Sequence, residues 1–475
     1  MLTFFTETAL PHGPILLSLG LVFGLYMAWS IGANDVANAM GTSVGSGGLT
    51  LKRAVIIAAI MEFAGAVLLG SHVSDTVRGK MFDAAQFEPL PLVLGFMAAL
   101  LASAAWLQAA TWFGWPVSTT HTIVGAVVGI GVVIGGFGAV NWGKIVEIVI
   151  SWGTSPLAGG VISFTLFKII QKVIIDNKHP LRQTYRFIPF IVFFMIFVLA
   201  LVLVWKGLKN LGLHLELGAA LLVATLTGAV AAALSLLWVR RLKNRHELER
   251  VELNVELKED AEDGIPFVRK EERESASPKV ELRPALVPAS ALPTKRWEYR
   301  REFEFERLEG VFATLLVISA AFLAFAHGAN DTANAIGPLA AIVAIVREGS
   351  VAAKATVPIW LLVVGGIGII LGLATWGYKV IETVGKKITA LTPSRGFAAN
   401  LGAATTIVVA SRLGFPISTT HTLVGAVLGI GLARGIEHIN LRMLRDIVIS
   451  WIITVPVGAI LAAIFYYILR AVFVS

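Results

Sequence analysis

The chain of 475 residues contains no cysteine and little charge. Only 15% of its residues are Asp, Glu, Lys or Arg, against about 25% in average soluble domains. The absence of cysteine excludes a disulfide framework, a thiolate nucleophile and a thiolate metal site. The shortage of charge, together with 56% hydrophobic residues, excludes a disordered chain and an ordinary soluble enzyme. The composition is that of a protein that spans a membrane.

The net charge of +8 would suit a nucleic-acid-binding protein if the basic residues formed one patch. They do not. The most charged segment, residues 240–309, holds 16 basic and 17 acidic residues, and the basic excess lies at the ends of apolar segments. That placement is typical of membrane proteins. We expect the lipid bilayer as the surroundings and no nucleic-acid partner.

About twelve stretches are apolar and long enough to cross a bilayer, which takes about 20 residues in a helix. They lie near residues 14–33, 52–71, 90–110, 116–138, 144–171, 187–206, 214–239, 311–328, 357–377, 397–412, 416–433 and 446–473. The pattern predicts an all-α polytopic membrane protein with about 12 transmembrane helices. The count depends on whether the short pairs of segments around Pro116 and Pro416 cross the bilayer fully.

The basic residues of the short loops predict the orientation, because Lys and Arg accumulate on the cytoplasmic side. They fit best with both termini outside and residues 242–307 in the cytoplasm as a hydrophilic linker. The first fourteen residues contain no Lys or Arg, so a cleavable signal peptide is not expected. We expect a multi-pass protein of the cell inner (plasma) membrane.

Two motifs occur twice in the same order. Residues 32–41 read GANDVANAMG and 328–337 read GANDTANAIG; residues 115–131 read WPVSTTHTIVGAVVGIG and 415–431 read FPISTTHTLVGAVLGIG. Seven predicted spans precede the second copy, and because seven is odd that copy enters the membrane from the opposite side. This predicts two inverted-topology repeats, with broken or re-entrant helices and the substrate site near the midplane.

The repeats divide the chain into four predicted parts. Residues 1–175 form the first membrane repeat and 176–241 two bridging transmembrane helices. Residues 242–307 form the linker, helical near each end, and 308–475 form the second, inverted repeat.

The first motif places an aspartate between carboxamides inside an apolar span. It supplies Asn34, Asp35 and Asn38, and in the second copy Asn330, Asp331 and Asn334. A buried aspartate costs about 2.5–3.5 kcal/mol on insertion scales. Helix capping would explain one such copy, but two copies in matching places favour a binding function.

The second motif predicts an anion site without arginine. A proline suits the first turn of a helix, so the hydroxyls that follow would lie beside free backbone N–H groups. These hydroxyls belong to Ser118, Thr119 and Thr120 and, in the second copy, to Ser418, Thr419 and Thr420. His121 and His421 come next and could bind the anion, relay protons, or pack as neutral core residues.

Glu62 lies in the apolar run AAIMEFAGAVLLG and is a functional candidate, because ionisable groups inside spans are expensive. Pairing with a hydroxyl near the lipid boundary is the structural alternative. No Lys or Arg accompanies the motifs, so Asp35, Asp331 and Glu62 would make an anion site more negative. Bound cations or protonation would resolve this, and either predicts cation-coupled anion uptake.

The paired GANDxANA and P-x-STTH motifs, in a twelve-span chain with a hydrophilic central loop, resemble those of the inorganic phosphate transporter (PiT) family. The resemblance covers essentially the whole chain outside 242–307. It implies symport of inorganic phosphate with Na⁺ or H⁺, in a homodimer that moves a transport part against a scaffold, without a cofactor. By motif match, the asparagines and the Ser-Thr-Thr triplets would bind phosphate, and Asp35, Asp331 and Glu62 the cation.

One position departs from the family pattern. Asn400 stands in SRGFAANLGAATT where many relatives have glutamate. If that position binds cation, one negative charge is missing, which leaves the number of cations and the choice between Na⁺ and H⁺ open. The residues do not discriminate phosphate from sulfate or another tetrahedral anion.

Two other classes of function compete with a symporter. An anion channel would need a continuous pore, often with basic rings, and no such residues are apparent. A membrane-embedded hydrolase using His121 and Asp35 would give no reason for the inverted duplication. No Walker-type GxxxxGK[ST] sequence occurs, so intrinsic ATP drive is not expected. The sequence therefore favours a secondary transporter over an enzyme.

Overall fold

The protein is described by a computed structural model for residues 8–45, 47–82, 86–113, 117–205, 215–262, 296–351, 357–378, 392–435 and 441–474. These residues are almost entirely helical, and their one extended pairing is a single bridge between Phe82 and Val140. The all-α class predicted from the apolar segments is confirmed.

Fourteen α-helices make up the described part of the chain. Their bounds are α1 Gly13–Asn34, α2 Val36–Gly45, α3 Leu51–Leu69, α4 Ser71–Gly79, α5 Pro89–Phe113, α6 Thr119–Gly135, α7 Trp142–Ile170, α8 Pro180–Val204, α9 Leu217–Glu262, α10 Arg296–Glu348, α11 Ile359–Gly372, α12 Pro393–Arg412, α13 Thr419–Arg434 and α14 Leu441–Phe473. Short π-helical turns extend α7 through Gln171–Ile175 and α11 through Leu373–Gly377.

Eight helices in the described ranges are long and apolar enough to cross a membrane, or nine if the bent pair α3 and α4 counts as one span. The pair bends by 62° at its break. Helix α6, with 17 residues, is apolar but shorter. At a rise of about 1.5 Å per residue it covers about 25 Å, which suits a helix that ends inside the membrane. The number twelve stays a prediction.

The helices of the two predicted repeats contact each other reciprocally. Helix α1 packs on α11, and its counterpart α10 packs on α3; α6 packs on α14, and its counterpart α13 packs on α7. Two copies related by a pseudo-two-fold axis would exchange partners in this way. The inverted orientation across a membrane, and the domain boundaries, remain predictions.

Glycines make the tightest of these reciprocal contacts possible. A Cβ on Gly32 would lie 2.0 Å from the carbonyl oxygen of Ile369, and a Cβ on Gly328 would lie 2.2 Å from that of Glu62. Small residues let helix backbones approach closely inside a membrane. The matching contacts identify Ile369 as the counterpart of Glu62 in the other repeat.

The two helices that connect the repeats pack mainly on each other. Helix α8 contacts α9 along its length and also touches α10. Their outer faces expose large apolar side chains such as Phe190, Leu222 and Leu226, as expected of helices that face lipid. Helix α9 continues to residue 262 and α10 begins at residue 296, so both ends of the predicted linker are helical. Residues 263–295 lie outside the described residues.

Candidate functional site

The two copies of the first motif have different backbones. In the first copy α1 ends at Asn34, α2 begins at Val36, and Asp35 lies at the break. In the second copy α10 runs through Asp331 without interruption. The interruption at Asp35 is one residue long: its backbone N–H still bonds to the Ile31 carbonyl oxygen, and Gly13–Gly45 counts as one candidate span. The predicted broken helix therefore stays a prediction in both copies.

The residue four positions before each aspartate explains this difference. Residues four apart lie on one face of a helix and can stabilise it when they pair. His327 stands four residues before Asp331, and its Nε2 lies 2.8 Å from Oδ2 of that carboxylate. Ile31 stands at the equivalent place before Asp35 and offers no such partner.

His327 joins two of the predicted carboxylates. Its Nδ1 lies 2.9 and 2.8 Å from the two carboxylate oxygens of Glu62, and its Nε2 faces Asp331. All three side chains are almost completely buried. Nδ1 hydrogen-bonds the Glu62 carboxylate, and Nε2 lies at ion-pair distance from Asp331, so the imidazole bridges two carboxylates.

His327 was missed by sequence reasoning, although a signal existed. In an otherwise close repeat, the residue before the glycine of the first motif is Ile31 in one copy and His327 in the other. The facing position differs in the same way: His327 faces the polar Glu62, whereas the residue equivalent to Glu62 in the other half is the apolar Ile369. Both isoleucines are fully buried. The two equivalent positions are thus polar in one half and apolar in the other.

The two aspartates approach each other through this histidine. Asp35, His327 and Asp331 each offer one ligand atom within 4.8 Å of the others. The Thr419 hydroxyl donates a 2.8 Å hydrogen bond to Asp331. By contrast, neither carboxylate oxygen of Asp35 accepts a well-formed hydrogen bond from the described residues, although Asp35 is buried. The Thr119 side chain faces Asp35, and Oδ1 of Asp331 is likewise buried without a hydrogen bond from the described residues. Asp35 is therefore the less satisfied of the two carboxylates.

The second motif caps its helix identically in both copies. Ser118 and Ser418 precede the first residues of α6 and α13, and each side-chain oxygen accepts a 3.2 Å hydrogen bond from a backbone N–H, of His121 and His421 respectively. The serines therefore serve as N-caps, and the threonines that follow form the first helical turn. Of the predicted prolines, Pro116 lies outside the described residues.

The two second motifs face each other where the repeats meet. The rings of His121 and His421 have centroids 4.6 Å apart, and His121 also lies on Trp152 at 3.8 Å. Equivalent residues touch each other only at the axis that relates them, so the pseudo-two-fold axis passes here. The Thr120 hydroxyl donates across it to the carbonyl oxygen of Ile417 at 2.9 Å.

Asparagines of the first motif are held by their amide nitrogens. Asn34 donates to the Thr111 hydroxyl on α5, and Asn330 donates to the equivalent Ser411 hydroxyl on α12 at 2.9 Å. The buried carbonyl oxygen of Asn330 accepts no hydrogen bond in the described part of the chain. The side chain of Asn38 lies outside the described residues.

Asn334 links the two motifs across the repeats. Its amide nitrogen lies 3.4 Å from the Thr119 hydroxyl and 3.2 Å from the Thr120 hydroxyl, while its carbonyl oxygen is buried without a hydrogen bond from the described residues. Asn400 is also buried, but its amide nitrogen lies 3.3 Å from the hydroxyl of Thr42 on α2. The hydrogen bond of Asn400 is therefore to α2 of the first copy and not to either aspartate.

Close backbone packing at the site leads to a test of stability. We expect Gly328→Ala to lower the free energy of unfolding by about 1–3 kcal/mol, the usual cost of overpacking a core, because its Cβ would meet the Glu62 carbonyl oxygen. Thermal unfolding of the detergent-purified protein measures this. The control is Gly310→Ala on the same helix, where a Cβ would meet nothing within 4 Å. Equal losses in both variants would contradict the packing.

A cluster of buried carboxylates, carboxamides and hydroxyls lies between two copies of one repeat. The surrounding helices are long and apolar enough to span a bilayer. Ionisable groups inside such helices mark substrate and ion pathways, and a site at a repeat interface is the arrangement of secondary transporters. The fold and the site therefore define a multi-pass membrane transporter.

The chain belongs to the phosphate transporter family, whose profile matches residues 31–462. It is 42% identical over 465 residues to a Haemophilus influenzae protein that carries the name phosphate permease, covering 97% of this chain and 98% of that protein. It is 41% identical to the Arabidopsis thaliana inorganic phosphate transporter 2-1, chloroplastic, over 94% of this chain and 71% of that protein.

A solved structure of a sodium-dependent phosphate transporter is also similar. It superposes with a TM-score of 0.81 and 37% sequence identity, and the match covers 96% of this chain and all of that one. The expected family resemblance is confirmed, and the chain is a phosphate transporter rather than an enzyme.

Proposed function

We propose that the chain imports inorganic phosphate by symport with Na⁺. The buried charges carry this proposal: the contacts above balance three carboxylates, Asp35, Glu62 and Asp331, with one imidazole, His327. Two negative charges are left before the anion arrives. Since buried charges must be paired, an anionic substrate needs accompanying cations at this site.

Open oxygen atoms suit Na⁺ as the co-transported cation. Neither carboxylate oxygen of Asp35 accepts a well-formed hydrogen bond from the described residues, and the same holds for Oδ1 of Asp331 and for the buried carbonyl oxygens of Asn330 and Asn334. Hard cations prefer carboxylate, carbonyl and hydroxyl oxygens. Because the amide nitrogens of both asparagines are already used, we assign these two residues to the cation rather than, as the sequence predicts, to phosphate. We keep Asn34 and Asn38 as phosphate candidates.

We place phosphate at the facing ends of α6 and α13. The first turns of both helices present backbone N–H groups, which favour an anion, and the hydroxyls of Thr119, Thr120, Thr419 and Thr420 lie in the same turns. Thr120 and Thr419 donate to Ile417 and Asp331 in this structure, so these two hydroxyls would exchange partners when phosphate binds. The side-chain oxygens of Ser118 and Ser418 already accept the capping hydrogen bonds, so these two serines position the turns. His121 and His421 pack against each other behind them, which favours the packing role over a proton relay.

The arrangement also supports a mechanism of alternating access. The cation and anion groups come from both repeats, so rocking of one repeat against the other would open the site to either side in turn. We further propose the plasma membrane as the location, both termini outside, and a homodimer as the assembly. Asn400 contacts Thr42 on α2, so we propose that it positions this helix rather than binding the cation.

Radiolabelled phosphate uptake into proteoliposomes tests the coupling ion. We expect an inward Na⁺ gradient at fixed membrane potential to drive uptake, and an inward H⁺ gradient without Na⁺ to drive none. Uptake driven by H⁺ alone would instead make the open carboxylates proton carriers, which is the second candidate. Uptake driven by neither gradient would contradict symport. Excess sulfate as competitor tests the anion, since the hydroxyl and N–H groups suit any tetrahedral anion.

A further inference from the structure

A basic cavity lies at one end of the bridging helices, far along the chain from the transport motifs. It has a volume of about 640 Å³, and its charged lining consists of Arg182, Arg186 and Lys243 against Glu247 and Glu304, beside two histidines, His179 and His246. Its size falls within the range of about 300–1,000 Å³ that is usual for ligand sites. Neither bridging helix contributes a motif residue, so the transport site does not explain this cavity.

The charges of the cavity favour an anion. Lys243 is already paired with Glu247 at 3.7 Å, whereas no ion pair or hydrogen bond within the described ranges engages the side chain of Arg182 or Arg186. Both guanidinium groups are exposed at the start of α8. Arginine binds phosphate oxygens with two parallel hydrogen bonds, so two free arginines at one cavity match a phosphate group.

A smaller, partly apolar cavity adjoins the basic one. It measures about 430 Å³ and is lined by Val173, Phe187 and Phe190 together with the polar Asn177, Gln183 and Arg186. Arg186 therefore borders both cavities. Phe190 is 68% exposed and lies one helical turn deeper along α8, about 6 Å further into the span. A ligand with a phosphate group at one end and an apolar chain at the other would contact both cavities.

The position in the helices is also that of a membrane surface. Helix α8 passes from these arginines directly into a strongly apolar span, and α9 leaves its apolar stretch just before Lys243. Basic pockets between transmembrane helices at the membrane boundary bind anionic lipid head groups.

We propose that the start of α8 and the adjacent part of α9 form a binding site for one anionic phospholipid. Its phosphodiester contacts Arg182 and Arg186, and an acyl chain lies along Phe187 and Phe190. With the predicted orientation this lipid belongs to the cytoplasmic leaflet. Because α8 also touches α10, which carries Asp331, the lipid holds the bridging pair against the helix of the transport site.

Native mass spectrometry of the full-length protein in detergent tests the proposal. The probes are phosphatidylglycerol and phosphatidylcholine with the same acyl chains. We expect the wild type to retain phosphatidylglycerol selectively, and R182Q/R186Q to bind it roughly 30-fold more weakly, at about 1 kcal/mol for each basic residue. The control is K52Q/R53Q, which removes two exposed basic residues from the start of α3 and should bind as the wild type does.

Several results would overturn the site. Equal binding of the two lipids would remove the head-group selectivity, and equal losses in both double variants would indicate diffuse surface charge. Displacement of the bound lipid by inorganic phosphate would make the cavity a site for soluble anions. If R182Q/R186Q does not elute as a monodisperse protein, R186Q alone is measured, and unchanged binding there contradicts the proposal in the same way.

Discussion

Replacing Asp35 with asparagine is expected to abolish Na⁺-driven phosphate uptake while leaving the protein folded. The change keeps the shape of the side chain and removes its charge. Mutating a residue that supports a metal ligand typically lowers affinity or activity by about 10–100-fold. Losing the ligand itself should cost more, so we expect uptake to fall by at least about 100-fold. Stability should stay equal or rise, because burying an unpaired carboxylate is unfavourable.

Asp331→Asn is the matched control for this prediction. Asp331 accepts a hydrogen bond from Thr419 and contacts His327, so its charge serves the packing as well as the site. We expect this variant to lose both uptake and stability. Uptake in proteoliposomes and thermal unfolding in detergent separate the two effects. Normal uptake by the Asp35 variant would place the cation elsewhere, and a stability loss equal to that of the Asp331 variant would refute the contrast.

The second large effect concerns the buried pair Glu62 and His327. Breaking such a pair by removing one partner usually costs about 3–5 kcal/mol, because the other charge stays buried and uncompensated. We expect Glu62→Ile and His327→Ile each to destabilise the protein by an amount of this order. Each should also abolish uptake, since both groups contribute to the charge balance of the site.

The equivalent positions in the other repeat indicate a double variant that should restore stability. There the same two positions are Ile31 and Ile369, which are fully buried, so an apolar pair is compatible with this packing. We expect the double variant E62I/H327I to recover most of the lost stability, because replacing a buried ion pair with apolar residues is often close to neutral. Uptake should not recover: the double variant keeps the net charge of the site but lacks the carboxylate oxygens of Glu62, which the sequence predicts as cation ligands.

A double-mutant cycle on the free energy of unfolding, with uptake measured on the same four proteins, tests this prediction. Additive losses in the double variant would mean that the two residues do not stabilise each other. Recovery of both stability and uptake would make the pair a packing element without a role in transport. The first result would contradict the buried pair, and the second would remove Glu62 from the charge balance of the transport site.

Sequence reasoning predicted the candidate site to the extent that it is repeated. Asp35 and Asp331, the Ser-Thr-Thr turns and the paired histidines were found because each occurs twice at matching places, and Glu62 because an ionisable group is rare in an apolar span. These are local signals, and they depend on composition and spacing. The same signals predicted the helical class, the family and the helical ends of residues 242–307.

The partners of those residues could not be found in this way. Glu62 and His327 are 265 residues apart in the chain, and Asn334 and Thr119 are 215 apart, so their contacts depend on how α10 packs against α3 and α6. The Ser411 hydroxyl accepts a hydrogen bond from the amide nitrogen of Asn330, and this contact is why we propose a cation role for Asn330 in place of the predicted phosphate role. Hydrogen bonds of this kind follow from the packing of distant helices, which spacing along the chain does not encode.

The amino-acid sequence by itself established a duplicated, helical membrane protein with acidic and hydroxyl groups in both halves. Hydropathy and repetition suffice for this because both depend only on the order of residues in the chain. Its three-dimensional packing established that the halves differ in chemistry. Asp35 lies at a one-residue interruption of its helix without a well-formed hydrogen bond from the described residues, while Asp331 is paired on an uninterrupted helix. The physical reason is that the positions of the charged pair Glu62 and His327 hold isoleucines in the other half, which a comparison of the repeats shows only as isolated mismatches.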